Sequence, residues 1–269
     1  MNDNFVDPAK PLLGLHDRGV LYGDGLFETV RLCNHEPQYW KEHLARLHRG
    51  CSVLKINFPE NAISRGMEQV SGKLRNGVLR LTVTRGEHPG RGFLPAVNPV
   101  PTVAVTGYPG EPYPEELYRR GFSGTLISFP RNHRSPLVKL KSLNCLENIV
   151  GKMEAASVGA DEGIFVNCLG EVAESTASNI FLVIDNKLLT PPPESGLLPG
   201  IMRARVLLLA KNLGIKALQS KIYPDDLCRA GESFLTNSLL GIMPLVSING
   251  QPIGKGRPGK VTALLRREL

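Results

Sequence analysis

The stretch KSLNCLENIV, Lys141 to Val150, sets a lysine at the mouth of a helical run, soon after the turn-rich RNHRSP of residues 131–136. Leu143, Leu146, Ile149 and Val150 fall at helical spacing, which predicts an amphipathic helix entered from a loop or strand. Lys141 then stands at the entrance, near the face expected to pack inward. Such a lysine has an ordinary reading, in which its stem covers apolar surface while the ammonium reaches water. A chemical reading depends on what the rest of the chain supplies.

The chain has 269 residues, enough for one large domain or two modest ones with real cores. The opening MNDNFVDPAKP carries acidic residues and prolines where a secretory signal needs a basic start and an apolar run. No apolar stretch approaches the roughly 20 residues that span a bilayer. A cytoplasmic protein without a membrane partner is therefore expected. The five cysteines, at 33, 51, 145, 168 and 228, are odd in number and form no CxxC pair, which suits a reducing compartment and argues against a disulfide framework or a zinc site. The net charge of +7 is compatible with nucleic acid or with an anionic small molecule. The Lys/Arg clusters lack the interleaved rings of a single-strand binder, so the small molecule is the expected partner.

YGDGLFETVRL reads as a turn followed by a strand, and PQYW as the continuation of a hairpin. KEHLARLHRGCSVLKI reads as a helix with Leu44, Leu47, Cys51 and Leu54 on one face, and GVLRLTVTRG and VPTVAVTGY alternate as strands do. GYPGEPYP, residues 107–114, concentrates proline and glycine and is the best linker candidate. Beyond it the strand patterns GTLISF, EGIFVN, NIFLVID, KLLTP and SFLTNS alternate with the helical patterns CLENIVGKMEAASVG and IMRARVLLLAKNLG. The organisation expected is α+β in two domains: a smaller one over 1–108, a linker at 109–116, and a larger one over 117–269 that carries Lys141.

GKGRPGK, residues 254–260, has the spacing of a phosphate-binding P-loop, but Val261 stands where a hydroxyl is needed and Pro258 removes a backbone donor. It is read as a turn. HExxH, GxSxG and metal-ligand clusters are absent, and the six histidines are dispersed, with His43 and His48 read as surface residues of a helix. Three other stretches are chemically coherent. GEVAESTASNIFLV places Glu174 after a strand and turn, before a run of small residues. SGLLPGIMRARVLLLA opens a helix at Pro199 and Gly200, with Ile201 and Met202 as its first backbone donors, a natural phosphate site. FLTNSLLGIMPL adds Thr236, Asn237 and Ser238. Ordinary capping would also account for the last two.

Together the ordered motifs RGVLYGDGLFETVR, HLARL, TVTRG, KSLNCLENIVGKMEA, GEVAESTASNIF, GLLPGIMR and TNSLLGIMP resemble the fold-type IV pyridoxal-phosphate enzymes, which include branched-chain aminotransferases, D-amino-acid aminotransferases and aminodeoxychorismate lyases. The resemblance implies a two-domain fold of the D-amino-acid aminotransferase kind, pyridoxal 5′-phosphate as cofactor, and a homodimer. It makes Lys141 the Schiff-base lysine, the KSLN pattern selecting it over Lys139. Glu174 becomes the partner of the pyridine nitrogen, Arg46 the phosphate-binding arginine, and Ile201, Met202 and Ser238 further phosphate contacts. Where many relatives have threonine, this chain has Met202 and Ser238, so only a backbone contact is implied at 202.

Two stretches bear on the choice within the family. Branched-chain aminotransferases carry glycine after FE, where this chain has Thr29, and TNSLLGIMP looks like the lyases. The resemblance thus favours 4-amino-4-deoxychorismate lyase, which forms 4-aminobenzoate and pyruvate for folate synthesis. Lys141 is implied to move the substrate proton, Thr29 to assist at the leaving group and to bind substrate, and Arg91 to meet a substrate carboxylate. The alternative is an aminotransferase for D-amino or branched-chain acids.

Overall fold

A computed structural model describes residues 13–269 apart from 89, 91 and 112. The chain divides into one unit made of Met1–Pro112 with Leu140–Asn144, and a second made of Tyr113–Lys139 with Cys145–Leu269.

In the first unit the described elements are α1 (Arg18–Tyr22), β1 (Gly25–Cys33), β2 (Glu36–Pro37), α2 (Trp40–Leu54), α3 (Glu60–Ser71), β3 (Gly77–Thr84) and β4 (Thr102–Pro109). The strands form an antiparallel sheet in the order β2-β1-β3-β4. Alternation along β1 sends Leu26, Val30 and Leu32 into a core shared with Leu79, Leu81, Val83, Leu47, Cys51, Ile63 and Met67. Phe27, Thr29 and Arg31 stand on the other face. The hairpin read into PQYW is only two residues long: Tyr39 takes a left-handed conformation at φ 54° and Trp40 already begins α2.

The second unit holds α4 (Glu115–Arg120), β5 (Phe122–Leu126), α5 (Leu146–Ser157), β6 (Glu162–Val166), β7 (Val172–Ser175), β8 (Asn179–Ile184), β9 (Lys187–Thr190), α6 (Ile201–Asn212), β10 (Ala217–Gln219), α7 (Pro224–Arg229), β11 (Glu232–Asn237), β12 (Gly241–Ile248), β13 (Gln251–Pro252) and α8 (Lys260–Glu268). Its mixed sheet runs β10-β9-β8-β11-β12-β5-β6-β7, with β13 on β12. After Asn179, the IFLVI of β8 is apolar throughout because both its faces are covered: Ile180 and Leu182 meet Leu235 and Met243, while Phe181 stacks on Phe234 beneath α6 and α8. GKGRPGK is a turn leading into α8.

Two expectations change here. The helix after the lysine begins only at Leu146, and its large apolar residues face outward: Leu146 is 75% exposed, Met153 66%, and Ile149 and Val150 50% each. Its buried face is made of Gly151 and Ala155, because a Cβ at 151 would come within 2.8 Å of the Phe165 ring. Second, Lys141 groups with the first unit rather than with the 117–269 segment. Backbone pairing causes this: Phe27 N–H donates to the Lys141 carbonyl at 2.9 Å and Leu143 N–H to the Gly25 carbonyl at 3.0 Å. The segment 141–143 so pairs with the end of β1 that β2 does not reach. The unit division itself falls after Pro112, within the proline-rich stretch.

Candidate active site

In the first unit the pairing of 141–143 with β1 fixes where the lysine side chain goes. Lys141 Nζ sits 4.4 Å from the centroid of the Phe27 ring, a cation–π contact that holds the amine on the face of β1 opposite the core. Lys139, by contrast, is exposed at the end of a single 3₁₀ turn, Pro136–Lys139. Thr29 lies two residues beyond Phe27 on the same face and opposite Arg80 in register. The Arg80 guanidinium is itself 3.5 Å from the Phe27 centroid, so that face carries two cations and a hydroxyl. Arg80 was not singled out by the sequence; its place in the alternation of GVLRLTVT, one strand over from Thr29, is the signal that marks it.

Arg46 belongs to the other, inward side of β1. Its Nε and Nη2 donate to the two oxygens of Glu28 at 2.8 and 2.6 Å, and His43 Nδ1 is 2.7 Å from the same carboxylate. Glu28 and His43 are both fully buried, which corrects the surface reading of His43; His48, one turn and a half on, is exposed as expected. Burial alone would push the Glu28 carboxyl up, but the hydrogen bonds from Arg46 and then His43, with their charges, outweigh it and hold it below the ordinary value. Because Glu28 is a carboxylate, His43 Nδ1 must be the N–H donor.

Arg91 lies outside the described residues. Its neighbours Gly92 and Phe93 offer their carbonyls to Arg18 Nη1 and Nη2 at 3.1 and 2.7 Å, and Arg18 is anchored by Asp24.

The second unit supplies the remaining candidates. Glu174 is the third residue of β7 and is 5% exposed. Arg131 Nη2 donates to its Oε1 at 2.8 Å and Leu198 N–H to its Oε2 at 3.0 Å. Arg131 also donates from Nη1 to Glu147 and from Nε to the Gly196 carbonyl, so one guanidinium fastens the carboxylate to the loop before α6. That loop is tied again by Asn179 Nδ2, which donates to the Leu198 carbonyl at 2.9 Å. It ends at Gly200, which gives α6 no side-chain cap, and Ile201 and Met202 are the first two residues of the helix, where N–H groups have no intrahelical partner. The turn bearing Ser238 is shaped by Asn237, whose Oδ1 accepts from Leu239 and Leu240 N–H. Asn237 Nδ2 donates to the Ala177 carbonyl and to Ser178, tying that turn to the residues that follow Glu174. Glu174 is thus bonded to the loop before α6, and residues 177–179 that follow it bond both to that loop and to the Ser238 turn. Arg131 was missed because nothing local marks it: its partner is 43 residues away.

Among the described residues no group of three or more His, Cys, Asp or Glu could hold a metal ion, and no helix is long and apolar enough to cross a membrane.

The family model for amino-transferase class IV matches residues 25–248. A Methanocaldococcus jannaschii protein provisionally named a branched-chain-amino-acid aminotransferase is 33% identical over 273 residues, covering 100% of this chain and 94% of the relative. The D-alanine aminotransferase of Bacillus licheniformis is 31% identical over 272 residues, with 100% and 94% covered. Among solved structures, the 4-amino-4-deoxychorismate lyase of Pseudomonas aeruginosa superposes with a TM-score of 0.88 at 32% identity, over 97% of this chain and 95% of that one. The T.th. branched-chain amino acid aminotransferase, solved with pyridoxamine 5′-phosphate, gives 0.91 at 29% identity, over 100% and 91%.

Proposed function

Because the chain belongs to the amino-transferase class IV family, whose fold-type IV members work on pyridoxal phosphate, we propose that it is a 4-amino-4-deoxychorismate lyase, releasing 4-aminobenzoate and pyruvate. Pyridoxal 5′-phosphate is its cofactor, and the residues present suit it. An amine is held on a phenyl face at Lys141, a buried carboxylate is fixed by Arg131 at Glu174, and α6 begins uncapped with donors at Ile201 and Met202. Lys141 would carry the cofactor, Glu174 would keep its ring nitrogen protonated, and Arg46, Ile201, Met202 and Ser238 would hold its phosphate. When bound, the group supplies the electron sink on which carbanion chemistry depends.

This chain's own residues do the rest. The Lys141 amine takes the proton from the amine-bearing carbon of the substrate. The carbon–oxygen bond of the enolpyruvyl ether then breaks, the ring becomes aromatic, and Thr29 assists the proton that converts the departing enolpyruvate to pyruvate. Arg91 binds a substrate carboxylate, and the +7 charge suits a dianion. The observation that carries the lyase reading is Thr29 itself: its side chain shares the β1 face on which Phe27 holds Lys141 Nζ. The D-alanine and branched-chain relatives support a second reading, transamination of D-amino or branched-chain acids. A reducing cytoplasm fits the five free cysteines.

The ratio of the two activities tests the assignment. A positioned proton donor is worth about a hundred- to ten-thousandfold in rate. Thr29→Gly should cut 4-aminobenzoate formation within that range, leave the cofactor spectrum unchanged, and spare any transamination of D-alanine or leucine. An unchanged ratio shows that the Thr29 hydroxyl takes no part in the lyase step.

A further inference from the structure

Glu28 is a carboxylate in a core position. It occupies the inward register of β1 between Leu26 and Val30, and it is fully buried. A charge there is costly unless paired, and even a well-paired buried ion pair stabilises a fold no better than well-packed apolar residues of similar size. Folding alone therefore gives little reason for the triad. What the arrangement does achieve is geometric. α2 comes close to β1 because residue 50 is glycine: a Cβ there would meet Leu26 Cδ1 at 2.8 Å. At that approach His43 and Arg46, one turn apart on α2, both reach Glu28. The two parallel bonds from Nε and Nη2 fix the plane of the guanidinium, and His43, fully buried, fixes the carboxylate that receives them. The bonds to Glu28 engage only Nε and Nη2, leaving Nη1 for a further acceptor, and the Arg46 side chain keeps 11% of its surface exposed.

We infer that Glu28 and His43 are positioning residues for the cofactor's phosphate: they hold Arg46 in one orientation, so that its remaining edge meets a phosphate dianion without first being ordered. This rests on the reading of Arg46 as a phosphate contact. Neither Glu28 nor His43 touches the cofactor in this scheme, and each acts through the arginine.

The test compares pyridoxal phosphate with pyridoxal, which has the same ring and aldehyde and no phosphate. Dissociation constants for both are measured by spectroscopic titration of the full-length protein freed of cofactor, in wild type, Glu28→Gln, His43→Leu and Arg46→Lys. In Glu28→Gln the affinity for pyridoxal phosphate should fall roughly ten- to a hundredfold, the worth of one charge-assisted hydrogen bond, with that for pyridoxal unchanged. His43→Leu leaves both Arg46–Glu28 bonds in place and should give a smaller loss of the same selectivity, which keeps the idea testable should Glu28→Gln fail to fold. A general loss of structure would weaken both ligands together and overturns the inference. So does a shift in selectivity in Arg46→Lys alone, which leaves the phosphate reading standing. No shift in Arg46→Lys refutes the phosphate reading itself.

Discussion

Arg131 Nη2 and Glu174 Oε1 are 2.8 Å apart, and both side chains are only 7% exposed. The carboxylate assigned to the cofactor's ring nitrogen is thus paired with a cation inside the second unit. Removing one member of a buried pair costs about 3–5 kcal/mol because the other charge is left uncompensated. Arg131→Met should therefore lower thermal stability of the cofactor-free protein on that scale, and Arg131→Lys should recover part of it. Glu174→Gln should retain cofactor yet lose orders of magnitude in turnover, since the ring nitrogen no longer faces a charge. Near-normal turnover in that variant shows that another group protonates the ring or that the chemistry does not need it.

Two lysines stand two residues apart, and the structure gives them different surroundings. Lys141 lies against Phe27, whereas Lys139 is exposed. Lys141→Ala should lose the visible absorbance of bound cofactor, its fixation by borohydride, and nearly all turnover. Lys139→Ala should keep all three. Cofactor still fixed by borohydride in the 141 variant contradicts the assignment.

Acid should weaken the first unit through Glu28. Its folded carboxyl titrates below the ordinary value, so its contribution to stability is fully present above about 4.3 and is lost as pH falls through the lower folded value. The stability difference between wild type and Glu28→Gln should accordingly shrink on acidification below about pH 4. Unfolding midpoints measured across that range check this, and a pH-independent difference contradicts it.

The homodimer implied by the family resemblance is the fourth expectation. The outward stripe of α5, Leu146, Ile149, Val150 and Met153, is an apolar surface of the kind subunit contacts use. Sedimentation at micromolar concentration should show a dimer, and a fully active monomer rules it out.

Much of this fold is legible in local patterns. The period of two in GLFETVRLC and GVLRLTVT and the unbroken apolar run IFLVI of β8 each follow from which faces are buried. Where reading failed, the deciding contact was distant or the inward face was small. The apolar stripe of α5 predicts the wrong inward side, because Gly151 and Ala155 are what fit against Phe165. His43 reads as a surface residue until Glu28, 15 positions earlier, is brought beside it by the sheet. The grouping of Lys141 with the first unit depends on backbone bonds to Gly25 and Phe27 that no helical period announces. Of the site, the motif residues are visible in order along the chain, whereas the residues that hold them, Arg131 and Glu28, are visible only in space.

A lyase and an aminotransferase differ in what they consume, and the balance of products separates them. Purified protein supplied with 4-amino-4-deoxychorismate and pyridoxal phosphate, with no 2-oxo acid present, should form 4-aminobenzoate and pyruvate in equal amounts over many turnovers. Failure to form 4-aminobenzoate, together with sustained amino transfer from D-alanine or leucine once a 2-oxo acid is added, contradicts the lyase reading and establishes the aminotransferase.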